Sequence, residues 1–180
     1  MSDQNSVVAV YNTHREAETA VKELQKGGFD MKKLSIVGKE YHTEQNVVGY
    51  YDAGDRIKSW GKRGAFWGGL WGLLVGAAFF VVPGVGPVLI AGPVAAWVAG
   101  ALEGAVVVGG MSAIGAGLCS IGIPKNSVLK YDSAIKADKY LLVAHGTVDE
   151  VLQAKQILQT TAAAELETHL AEATGTQSAA

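Results

Sequence analysis

Between Gly64 and Pro124 the chain carries a single charged residue, Glu103. So long an uncharged stretch does not end as ordinary solvated surface. It belongs in a lipid membrane or a tightly packed assembly. The rest of the chain is different. Net charge is −2 and charged residues make up 18% of the total, almost all of them in the two flanks. The chain therefore reads as a charged, soluble module interrupted by an apolar insert. The balanced charge argues against a general nucleic-acid binder, which needs a basic surplus.

Within the insert, Gly64, Gly68, Gly72 and Gly76 recur at a strict spacing of four. On a helix that spacing places them on one stripe. Each glycine costs a soluble helix about 1 kcal/mol relative to alanine. Close approach of a second helix is the usual compensation. A first helix is expected from Gly61 to Val82. At 1.5 Å per residue it is about 33 Å long, close to the ~30 Å hydrocarbon core of a bilayer. A second helix is expected from Pro93 to about Ile121. It offers Ala96, Gly100 and Gly104 on one stripe, and Ala105, Gly109, Ala113 and Gly117 on the next. The connector, PGVGPVLIAGP, holds Pro83, Pro87 and Pro93, which break a continuous helix. It is as apolar as the arms, which suits a tip that stays at membrane depth or inside protein. Lys58, Lys62 and Arg63 before the hairpin, and Lys125 and Lys130 after it, favour the cytoplasmic side of an inner membrane for both flanks. The N-terminus lacks a basic-then-apolar signal, so no cleaved secretion peptide is expected.

The flanks carry β and α signals. Val7 to Tyr11 and Leu34 to Val37 read as strands. Between them Thr13 and Glu16 form a capping-box pattern, and Ala17, Ala20, Val21 and Leu24 recur at helical spacing. Gly27-Gly28 ends that helix. Leu141 to Ala144 is a further strand. Thr147 with Glu150 repeats the capping box, and Val151, Ala154, Ile157 and Leu158 repeat the apolar face. Pro124 to Ala137 reads as a helix, with a strand at Ser127 to Tyr131 as the competing reading. The last helix is expected to continue to about Ala173.

The fold class is α/β (α+β): a small ferredoxin-like β-α sandwich interrupted by a long glycine-rich hydrophobic helical hairpin. Residues 1–40 form the first half and 41–60 a polar linker. Residues 61–122 form the hairpin, with its tip at 83–93. Residues 123–161 form the second half, and 162–180 a helical extension and disordered tail.

The segments GDRIKSWGKRGAFWGGLWG and GIPKNSVLKY, with the apolar stretch between them, resemble the bacterial general-stress or heat-induced stress proteins. The resemblance runs over roughly residues 6 to 160. It implies a glycine-rich hairpin inside a small α/β domain, often labelled a membrane protein. It implies no established activity, ligand or catalytic residue.

Chemistry in the sequence is sparse. Glu103 is a buried-charge candidate, able to serve ion passage or to pin helix register; a place near a helix end is the blander reading. Cys119 sits among Gly115, Ala116 and Gly117 as a small hydrophobe. His14, His42, His145 and His169 lack ligand spacing, so no metal is expected. Tyr50, Tyr51, Asp52, Asp55 and Arg56 make a polar-aromatic entry to the hairpin. No nucleophile–base set is visible, so neither an enzyme nor a cofactor is expected. The expected partners are the chain itself, through Gly64, Gly68, Gly72, Gly76, Gly100, Gly104, Gly109 and Gly117, and a lipid or membrane; no nucleic acid is expected. The function read from the residues is a stress-related, membrane-associated scaffold or protectant. The alternatives are a small oligomeric channel, or a soluble shell or ring with its hairpins in a protein core.

Overall fold

The computed structural model describes residues 5–39, 78–103 and 112–171. Strand β1 (Asn5–Tyr11) leads into helix α1 (His14–Lys26), a 3-10 turn (Met31–Lys33) and β2 (Leu34–Gly38). Strands β3 (Ala78–Val82) and β4 (Gly86–Ala91) follow, then helices α2 (Val94–Glu103), α3 (Ala113–Ser120) and α4 (Lys125–Lys136). The chain returns as β5 (Tyr140–Gly146), α5 (Val148–Leu158) and β6 (Glu165–His169).

The two capping boxes start α1 and α5. Thr13 accepts from the Glu16 backbone N–H while the Glu16 carboxylate accepts from Thr13 N–H at 3.1 Å. Thr147 and Glu150 do the same, at 2.9 Å. Two N–H groups that helix geometry leaves without intrahelical partners are satisfied at each start. Gly28, at φ +77°, adopts the left-handed backbone that turns the chain after α1.

The strands form one six-stranded sheet, ordered β3-β4-β2-β5-β1-β6, with every neighbour antiparallel. Strands β6-β1-β5-β2 with α1 and α5 reproduce the β-α-β-β-α-β arrangement of a ferredoxin-like sandwich. The mixed α/β class and the repeated β-α unit follow the sequence. In that unit Val8 pairs with Val143 and Ile36 with Leu142.

Strands β1 and β5 read as near-continuous apolar runs because both faces of the sheet are covered. Val7, Ala9 and Tyr11 point to the side of α1 and α5, where they pack with Ala17, Val21, Leu24, Val151 and Leu158. Val8 and Val10 point the other way, into a second core built from Val94 and Val98 of α2, Ile114 and Leu118 of α3, and Val128, Tyr131 and Ile135 of α4. The apolar insert therefore roofs the second face of its own sheet.

This corrects the helical hairpin over the residues described. Gly64, Gly68, Gly72 and Gly76 lie outside the described residues, as do Gly104, Gly109, the linker, His42 and the Tyr50–Arg56 entry. The last five residues expected in the first helix form β3 instead. AFFVV is aromatic and β-branched, which suits a pleated surface. The tip is a tight turn at the head of a β-hairpin. Val85 N–H donates to Val82 C=O at 3.1 Å, with Pro83 second in the turn and Gly84 third at φ +78°. Those are the residues a type II turn prefers. Pro87 sits in β4 opposite Val81, and Pro93 immediately precedes α2. Within the second arm the described residues form two short helices, α2 and α3. Among the described residues no helix is long and apolar enough to cross a membrane.

The C-terminal helix is also shorter than expected. It ends at Leu158, and the Thr160 and Thr161 hydroxyls turn back to donate to the Ile157 and Leu158 carbonyls. Glu165 to His169 then alternates with period two, placing Leu166 toward one core and the charged residues on the other face.

Candidate functional site

Two arrangements stand out: the outer face of α2, and a polar row at one end of the sheet. Helix α2 is tied to the sheet from below. The Ser35 hydroxyl of β2, fully buried, accepts from Val94 N–H at 3.2 Å and caps the helix start. Gly92, at φ +89°, lets the chain pass over β2; a Cβ there would lie 2.1 Å from Leu34 O. On the inner side Gly117 of α3 packs against α2, where a Cβ would meet Val98 Cγ2 at 2.8 Å. Gly117 thus makes a close helix contact within a single chain. Ala96 and Gly100 are exposed, and among the described residues a Cβ at Gly100 would meet nothing within 4 Å. Glu103 is the last residue of α2.

The polar row crosses three strands. Ser6 of β1 lies opposite His145 of β5 on one side and His169 of β6 on the other. All three therefore share the face covered by α2 and α4. The His145 ring meets Trp97 of α2 edge-on, with centroids 5.8 Å apart. The Tyr131 hydroxyl of α4, itself fully buried, donates to Glu167 Oε2 at 2.8 Å and lies 2.8 Å from His169 Nε2. Lys130 bridges Glu165 at 2.9 Å and Glu167 at 2.5 Å.

Electrostatics follow from these contacts. Burial, then the adjoining Glu167, push the Tyr131 hydroxyl far above its ordinary range. The Lys130 ammonium and the Tyr131 hydroxyl hold Glu167 below the usual carboxylate range. Burial lowers His169, partly offset by the charge of Glu167. Tyr131 and Lys130 thus form an internal clasp between α4 and β6. The Ser112 hydroxyl, at the start of α3, donates to buried Asp132, whose other oxygen holds Lys136 at 2.7 Å. That contact joins α3 to α4.

The sequence missed the polar row because β6 reads as helix there. The period-two pattern of ELETH is the signal that reveals it. Lys130 belongs to the clasp. Cys119 is partly buried, and burial raises its thiol. His14 lies apart, edge-on to Tyr140. Among the described residues no group of three His, Cys, Asp or Glu side chains is placed to hold a metal ion.

The structure defines a ferredoxin-like α/β sandwich whose open face is closed by its own apolar insert. Residues 6–79 match the family described as the heat induced stress protein YflT domain. This match agrees with the resemblance to heat-induced stress proteins that the residues carry. The match covers β1, α1 and β2 and stops as β3 begins. Strand β5, which lies between β1 and β2, comes from beyond it. No curated protein and no solved structure matches the chain.

Proposed function

We propose that this chain is a non-enzymatic stress protein that self-associates through the small-residue face of its insert. The observation that supports this reading is the outward stripe of Ala96 and Gly100 on α2, with no described residue within 4 Å of a Cβ at Gly100. Small residues at spacing four let a second helix approach closely. The inner stripe of the same helix pair already does so at Gly117. The rest of the insert has a second role in this reading. The uncharged run that begins at Gly64, preceded by Lys58, Lys62 and Arg63, holds the assembly against the cytoplasmic side of a membrane or a lipid body.

Gly100→Leu tests self-association cleanly. Among the described residues the added side chain meets nothing, and leucine favours helix over glycine by about 1 kcal/mol, so α2 is retained. Light scattering after size exclusion without detergent should show wild-type particles larger than one chain and a smaller Gly100→Leu species. A monomeric wild type, or a variant of unchanged size, refutes the reading. Lipid extraction from the same fractions decides the second role: lipid-free particles remove it and leave self-association standing.

A further inference from the structure

We propose that β6 is an acid-released strand, latched to α4 through His169 and freed when that imidazole takes a second proton. Among the described residues β6 pairs only with β1, and all five of its residues are only partly buried. On the face toward α4 polar contacts hold it: Tyr131 to Glu167 and His169, and Lys130 to Glu165 and Glu167. Asn5 adds a neutral pin, accepting from Ala171 N–H at 2.9 Å and donating to Gly146 C=O at 3.3 Å.

The proton count identifies the latch. Tyr131 has one hydroxyl proton, and it goes to Glu167. His169 Nε2 must then carry a hydrogen and donate to Tyr131 Oη, which leaves Nδ1 bare. A second proton, at Nδ1, puts a full charge on a side chain only 10% exposed. The described groups facing it do little to hold that charge. From β1 comes Ser6, buried, uncharged and without a hydrogen bond. Beyond Ser6 in the same row lies His145 of β5. From α4 come Tyr131 and, bound to the carboxylates, Lys130. From β6 itself come Glu165, held by Lys130, and Glu167, 3.9 Å away but already shared with Lys130 and Tyr131. Helix α5 packs on the opposite face.

Burial therefore outweighs the attraction of Glu167, and the latched state binds the proton less readily than the released one. The sign follows. A histidine lowered on folding favours the latched strand above its ordinary value of 6.5, and that preference is lost as pH falls below it. Release bares the outer edge of β1, a row of backbone donors and acceptors.

Hydrogen exchange of the full chain between pH 7.5 and 5.5, with rates divided by intrinsic exchange, tests this. Peptides spanning residues 163–171 should lose protection on acidification while β5 keeps its own. At pH 5.5, one unit below the ordinary value of 6.5, the loss reaches at most about tenfold. His169→Gln keeps a donor toward Tyr131 and should be flat across the range. Tyr131→Phe keeps the ring and should leave β6 weakly protected at both ends, with no step. The proposal is overturned by a flat wild-type profile, by the same step in His169→Gln, or by a loss shared equally with β5.

Discussion

Truncating Leu118 to alanine separates an insert that roofs its own sheet from one whose apolar face belongs to lipid. Leu118 is fully buried on α3, in the core that joins α2, α3 and α4 to Val8, Val10, Leu141 and Val143 of the sheet. A fully buried leucine cut to alanine loses transfer energy and leaves a cavity, typically about 2–5 kcal/mol. A domain of this size is stable by roughly 5–15 kcal/mol, so the variant still folds. With a urea slope of about 2 kcal/mol per M, the midpoint should drop by about 1–2.5 M. Leu158→Ala is the control. It is equally buried, but against α1 on the opposite face. Urea unfolding followed by circular dichroism should show comparable losses for both. If Leu158→Ala falls and Leu118→Ala does not, α3 does not pack on the sheet, and the three-layer architecture is wrong.

Three further outcomes follow from local geometry. Gly92→Ala should destabilise severely, because a Cβ would lie 2.1 Å from Leu34 O and the backbone sits at φ +89°; a melting temperature within a degree or two of wild type contradicts the close crossing over β2. Thr147→Ala removes the acceptor for Glu150 N–H and should cost about 1 kcal/mol in a urea titration. Glu150 is held below its ordinary value of 4.5 by Lys33 and by the Thr147 N–H. Its contribution is present above 4.5 and is lost as pH falls through the lowered value. Lys33→Met should flatten the acid limb of stability against pH, and an unchanged limb shows that the pair contributes nothing.

Much of the α/β sandwich was legible in residue order. The capping boxes at Thr13 and Thr147, the apolar runs of β1, β2 and β5, and the helix after Pro124 are local features. A hydrogen bond three residues away or a period of 3.6 declares them. The β-hairpin was legible too, in the Val-Pro-Gly-Val turn between AFFVV and PVLIA, but the surrounding glycine spacing masks it. Spacing four is compatible with a packed helix and silent about chain segments that become strands. The C-terminal strand was hidden because Ala, Glu and Leu favour helix, while pairing with β1 overrides that weak preference.

By itself the sequence determined that the segment after Gly64 is almost free of charge up to Pro124 and rich in small and apolar residues. Charge density and side-chain volume are carried by the residues alone. Only the tertiary structure decided where the described part of that apolar surface goes. The second face of a ferredoxin-like sheet needs a cover, and Val8, Val10, Leu141 and Val143 supply an apolar floor that no local pattern assigns to a particular roof. It also decided that Ser6, His145 and His169, far apart in the chain, share one row. Strand register brings distant residues together, and register is set by burial of whole faces.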